Sequence, residues 1–134
     1  MWHWEFFTPE EVLSPDGMEL YNRFGVCAVS PRLLEKLTKL RQLVDRPLLI
    51  NNGELRLRGY RSYAENQSAE GRKHSMHMLG LAADVSVSGM SVQDIAKAAE
   101  ECGFTGLGKY PTKNFVHCDV RYNVNGGVTR WTLS

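Results

Sequence analysis

Apolar residues recur at helical spacing in two stretches of this 134-residue chain. In the first, Leu33, Leu34, Leu37, Leu40, Leu43 and Val44 share one stripe, while Arg32, Glu35, Lys36, Lys39 and Arg41 occupy the other side. That pattern predicts an amphipathic helix, opened by Ser30-Pro31 and closed by Arg46-Pro47. In the second, Val92, Ile95, Ala99 and Cys102 form the stripe, with Ser91 as cap, Asp94 at the capping-box position and Gly103 as stop. A third helix start stands at Thr8-Pro9-Glu10-Glu11, cut short by the turn chemistry of Ser14-Pro15-Asp16-Gly17. Period-two alternation is clearest from Phe115 to Val120. Leu48-Leu49-Ile50 and Leu55 to Tyr60 read as shorter strands around an Asn51-Asn52-Gly53 turn. Val128 to Leu133, after Asn125-Gly126-Gly127, reads as a closing hairpin. Ser62 to Lys73 is polar and loop-like. With no repeat and no linker, the expectation is one α+β domain over residues 1–134: a small antiparallel sheet with helices packed on one side.

Composition narrows the function classes. Hydrophobic residues at 43% and charged residues at 23% suit a globular domain with a single core. A formal charge of +1, with no basic tract and no aromatic ladder, gives no case for a nucleic-acid partner. Apolar runs of a few residues give no membrane span. The start, Met1-Trp2-His3-Trp4, lacks a charged n-region and an apolar h-region, so a cytoplasmic product without a signal peptide is expected. Cys27, Cys102 and Cys118 are odd in number and far apart, which argues against a disulfide framework and a four-cysteine zinc knuckle. A monomer is expected.

Two segments concentrate chemistry. In Ser75-Met76-His77-Met78-Leu79-Gly80-Leu81-Ala82-Ala83-Asp84, a histidine and a carboxylate are separated by small residues that let the backbone fold tightly. On the later strand, alternation puts Phe115, His117 and Asp119 on one face and Val116, Cys118 and Val120 on the apolar other. Two imidazoles and one carboxylate (His77, His117 and Asp84) suit a zinc ion with a fourth position left for water. Spacing alone leaves a second reading open, because a lone strand histidine is commonly packed or solvated.

The pattern Ser75-x-His77-x-x-Gly80-x-Ala82-x-Asp84, followed by Phe115-Val116-His117-x-Asp119-x-Arg121, resembles the zinc D-alanyl-D-alanine carboxypeptidase family. That family includes murein endopeptidases and phage endolysins, and the hedgehog signalling domain shares its fold. Arg58-Gly59-Tyr60-Arg61-Ser62 and Gly103-Phe104-Thr105-Gly106-Leu107-Gly108-x-Tyr110 extend the likeness, which runs from about Thr8 to Arg121. The resemblance implies one Zn²⁺ held by His77, Asp84 and His117. It implies Arg61 over the site to hold a carboxylate or a developing oxyanion, and Ser75 against the substrate backbone. The substrate class implied is a peptidoglycan stem peptide or cross-link, with action at the cell wall after release, as by phage or prophage lysis.

One position departs from that pattern. Many members carry a glutamate base three residues before the last histidine ligand, and Asn114 stands there instead. Asp119 is the first candidate to replace it, on the same strand face as His117. Its alternative role is to accept the His117 ring proton or to pair with Arg121. His74 is a third candidate base, and a solvated loop histidine is its plainer reading. The missing glutamate also sustains a different function class, a non-catalytic, zinc-stabilised module that binds cell-wall peptides.

Overall fold

The computed structural model describes residues 2–50, 56–69, 71–72 and 75–133. Among these residues, four short helices and a longer one precede or interrupt a four-stranded sheet. In chain order they are α1 (Pro9–Val12), α2 (Pro15–Phe24), α3 (Pro31–Val44), α4 (Tyr63–Ser68), β1 (Ala82–Val85), α5 (Val92–Glu101), β2 (Gly106–Tyr110), β3 (Phe115–Asp119) and β4 (Thr129–Thr132).

The two strongest periodic segments form the predicted helices α3 and α5. Ser30 Oγ accepts from Arg32 N–H, and Ser91 Oγ accepts from Asp94 N–H, which satisfies amide groups that each helix start leaves unpaired. Leu33, Leu34, Leu37 and Leu40 are buried, as are Ile95, Ala99 and Cys102, whereas Leu43 turns out to solvent at 50% exposure. These side chains meet Ala83, Val85, Leu107, Val116 and Cys118 from one face of the sheet. Each fully buried leucine contributes about 1.5–3 kcal/mol of apolar transfer, so this interface holds the sheet in place.

Two helices fall where turn or loop chemistry was expected. Ser14-Pro15-Asp16-Gly17 is the capped first turn of α2: Ser14 Oγ accepts from Gly17 N–H at 3.2 Å. The polar run after Ser62 contains α4, closed by a reciprocal box in which Ser62 Oγ takes Glu65 N–H and Glu65 takes Ser62 N–H. Glu65 also accepts from Ser14 Oγ at 2.5 Å and from Asp16 N–H at 3.1 Å, so one carboxylate serves two helix starts.

The sheet order is β1-β3-β2-β4. β3 lies antiparallel to both β1 and β2, in the register Asp84↔His117 and Gly108↔His117. β4 pairs with β2 in parallel, Gly108 beside Trp131, so the sheet is mixed. The physical reason is that β1 and β2 occupy both edges of β3. The chain therefore turns at Asn123–Gly126, crosses the start of β2, and pairs on its free edge instead of closing a hairpin on β3. Asn123 anchors the crossing by donating to Thr105 O at 3.1 Å and Gly127 O at 2.8 Å. The Leu48-Leu49-Ile50 run makes only a bridge from Leu49 to Ser86. The expected Leu55–Tyr60 strand is absent over its described residues, where Arg56 has φ +55°. The Asn51-Asn52-Gly53 turn lies outside the described residues.

Candidate metal centre

The sheet face turned away from the helices carries the chemistry. Strand alternation puts Asp84 on β1 beside His117 on β3, and Asp119 two residues further along the same face. His77 comes from the turn over residues 76–80 that leads into β1. The three side chains converge: one donor atom from each of His77, Asp84 and His117 lies within 4.8 Å of the others. All three residues are buried.

Each imidazole is held from behind. His77 Nδ1 donates to Gly59 O at 2.8 Å, which leaves Nε2 to face Asp84 Oδ1 at 3.2 Å. His117 is turned the other way: Nε2 lies 2.7 Å from Asp119 Oδ2, and Nδ1 lies 3.2 Å from Asp84 Oδ1. With each outer N–H given to an oxygen, the inner nitrogens His77 Nε2 and His117 Nδ1 are the ones that can offer a lone pair to a metal ion when unprotonated. Burial alone would raise the Asp84 carboxyl, but the two histidines outweigh it and hold the group well below the usual carboxylate range. Burial alone would lower His117, yet its hydrogen bonds to Asp119 and Asp84 raise it above an ordinary histidine. Two nitrogens and a carboxylate oxygen in a buried cluster are a donor set that could hold a divalent metal ion.

Asp119 is fully buried and saturated. Its Oδ1 accepts from Arg121 N–H at 3.1 Å and Arg121 Nε at 2.8 Å, and its Oδ2 accepts from His117 Nε2 and from Arg121 Nη2 at 2.6 Å. Burial would raise this carboxyl, and Arg121 with His117 more than reverses that, leaving it far below the usual range. A carboxylate with four donors and no exposed surface is poorly arranged to take a proton from a water on the far side of His117. The expectation that it acts as the base meets this obstacle. The alternative role, fixing the His117 ring, matches the contacts.

The glycines of β2 make room for this arrangement. A Cβ at Gly106 would overlap the Asp119 carboxylate, and one at Gly108 would overlap the Trp131 indole. Trp131 lies over His117 with ring centroids 5.3 Å apart and donates to Tyr110 Oη at 3.3 Å. Sequence reasoning missed Trp131 as part of the site. The available signal was the Gly106-x-Gly108 pair, since glycine inside a strand marks close approach of another group.

The cleft over these residues has a volume of about 330 Å³. Arg61 lines it with Nη2 3.8 Å from Asp84 Oδ2, and donates to Leu57 O at 2.5 Å and Asn66 Oδ1 at 3.3 Å. Ser75 lines it too, and its Oγ accepts His77 N–H at 3.1 Å, a local backbone bond. Asn114 sits in the exposed β2–β3 turn with φ +57°. His74 lies outside the described residues. Cys118 points into the core, as alternation requires.

The family model for peptidase M15 matches residues 10–119. The chain belongs to this family of metallopeptidases. It is 31% identical over 107 residues to the peptidoglycan L,D-endopeptidase MepK of Escherichia coli K12, covering 75% of this chain and 56% of that protein. It is also 31% identical over 109 residues to the probable peptidoglycan L,D-endopeptidase MepK of Haemophilus influenzae, covering 77% of this chain and 54% of the relative. The chain thus spans a little over half the length of these relatives.

Proposed function

We propose that this protein is a zinc-dependent peptidase that hydrolyses an amide bond in peptidoglycan peptides, with a cross-link or stem-peptide bond as the target. The observation that carries the reading is the convergence of His77 Nε2, an Asp84 oxygen and His117 Nδ1 at the floor of a basic cleft. M15 membership and the likeness to proteins named as peptidoglycan L,D-endopeptidases support the reaction class.

In this reading His77, Asp84 and His117 hold the metal, which when bound polarises the scissile carbonyl and lowers the pKa of water at that point. Asp119 is a positioning residue: it holds the Nε2 proton of His117 so that Nδ1 stays available. Arg61 has its Nε tied to Leu57 O and its Nη1 to Asn66 Oδ1, which leaves Nη2 on the Asp84 side of the cleft to bind a substrate carboxylate or steady the oxyanion that forms during attack. Ser75 uses its acceptor capacity on His77 N–H and keeps its hydroxyl proton for a substrate carbonyl. Trp131 forms one wall and keeps water from the back of His117.

The test is digestion of defined muropeptides followed by mass spectrometry, with chelator and zinc add-back. Cleavage of a peptide bond that chelator stops and zinc restores is the expected result. Intact peptides under both conditions would overturn the reading. One observation favours the second reading, a zinc-stabilised module that binds cell-wall peptides: among the described residues, Asp84 is the sole carboxylate lining the cleft. Saturable binding of the same peptides without turnover would establish that role.

A further inference from the structure

Among the described residues, the cleft is lined by four cations, Arg61, Arg72, Lys113 and Arg121, against the single carboxylate of Asp84. Two of the four are committed. Arg121 is locked to Asp119 by paired contacts of 2.6 and 2.8 Å, and Arg61, steadied by Leu57 O and Asn66, is already assigned to the reacting end of the substrate. The other two differ. Arg72 and Lys113 are both exposed, and no carboxylate among the described residues pairs with either. Arg72 follows α4, and its guanidinium rides over the Trp131 ring at 5.9 Å. Lys113 belongs to the β2–β3 turn, which is flanked by the stacked Tyr110 and Phe115 rings, whose centroids are 4.5 Å apart.

These cations come from separate elements and line one cleft. Indole contact limits where the Arg72 guanidinium can go, and the turn that carries Lys113 is rooted on the aromatic pair. A solvated surface charge needs neither support. Two exposed cations with no paired carboxylate among the described residues, beside a site built for a third, set up a positive field that favours an anionic occupant. Guanidinium and ammonium groups both bind carboxylates by charge-assisted hydrogen bonds, Arg through its planar fork and Lys as a point charge.

We propose that Arg72 and Lys113 form a carboxylate subsite that selects stem peptides bearing a free side carboxylate over otherwise identical peptides in which that group is an amide. The inference rests on the peptidase reading for its substrate class. Amidation removes the charge and leaves shape and backbone unchanged, so the discrimination is electrostatic, and it weakens as salt is raised.

The experiment uses two synthetic stem peptides that differ only in one carboxylate or carboxamide. The kcat/KM of each is measured with the zinc-loaded protein, and the dissociation constant of each with metal-free protein by calorimetry. A preference of about tenfold for the carboxylate is expected in both, because one anion meets two partly exposed cations. Arg72→Gln and Lys113→Gln should each cut that preference about threefold, and together bring it close to unity. Arg32→Gln, an exposed change at the start of α3, should keep it. Equal handling of both peptides by the unaltered protein would overturn the proposal, as would a preference that survives the double substitution. If neither peptide is cleaved but binding preference still tracks Arg72 and Lys113, the peptidase reading fails and the subsite stands.

Discussion

Replacing Asp119 by asparagine separates two jobs that a carboxylate beside a metal site can do. The side chain is 0% exposed and accepts four hydrogen bonds, three from Arg121 and one from His117 Nε2. Asparagine has nearly the same shape, but one of its two ends donates. If the amide NH₂ faces His117, the ring must present a lone pair at Nε2, which moves its proton to Nδ1, the atom that faces Asp84. In that orientation the NH₂ also faces Arg121 Nη2, and if the amide is flipped it meets Arg121 N–H and Nε instead. Losing the charge costs about 1 kcal/mol for each charge-assisted bond made neutral, and a buried donor facing a donor adds about 1–3 kcal/mol. Arg121 is 24% exposed and recovers part of this through water. The net expectation is a loss of about 3 kcal/mol, or a fall in Tm of about 10 °C for a domain of this size. A domain of ordinary stability survives that, so the apoprotein can still be titrated with metal. Zinc affinity, measured by competition with a chromophoric chelator, should fall about 10–100-fold, as for other changes behind a metal-binding histidine. The ring-nitrogen NMR shifts of His117 should report the proton moved from Nε2 to Nδ1. Zinc affinity within twofold of the parent together with an unchanged tautomer would refute the positioning argument. Loss of turnover with both readouts intact would return Asp119 to the role of base.

Three further expectations follow from the same geometry. Gly108→Ala puts a methyl group into the space of the Trp131 indole and should cost about 1–3 kcal/mol by chemical denaturation. In a Trp131→Ala background the same change should be nearly neutral, and additive costs would refute the contact. Leu37→Ala, at a fully buried position of α3, should cost about 2–5 kcal/mol, and a cost below about 1 kcal/mol would mean the helix-to-sheet interface is not packed as described. Glu100, hydrogen-bonded to Arg130 at 2.7 and 2.8 Å, is held below the usual carboxylate range by that partner. A depressed folded-state pKa stabilises above the unfolded value and is lost as pH falls through the folded one. An NMR titration of the Glu100 carboxyl should therefore show a midpoint that moves up in Arg130→Gln, and an unmoved midpoint would remove the pair as the cause.

What the chain reveals about itself depends on whether the information is local. Helices α3 and α5 were legible because a 3.6-residue stripe and a serine cap lie within each segment. The alternation around His117 was legible for the same reason, and it correctly put Cys118 in the core. Helices α2 and α4 have local caps too, Ser14 on Gly17 N–H and the Ser62–Glu65 box, but their buried residues are only Gly17 and Asn66, so no apolar stripe marks them, and the Ser14–Glu65 contact that joins their starts spans 51 residues. The parallel placement of β4 was equally hidden: it depends on both edges of β3 already being taken, a property of the sheet rather than of residues 128–133. The set His77, Asp84 and His117 is brought together by the fold, whereas the saturation of Asp119 needed Arg121 and the space over Gly106 to be seen at once.

The shared carboxylate of Glu65 has a consequence for how the cleft comes into being. Arg61 lies between Tyr60, whose N–H is bonded to Val12 O, and Ser62, whose N–H is taken by Glu65. The same glutamate closes the start of α2. The cation that overhangs the candidate metal site is therefore moored on two sides: to the N-terminal helices through Val12 O and Glu65, and to β1 and the His77 turn through Asp84 N–H on Arg58 O and Arg61 N–H on His77 O. The Arg61 segment thus ties the first helices to the candidate metal site, and a molecule whose first helices have not docked would keep the bonds to His77 and Asp84 but lose the other half of what holds Arg61 in place.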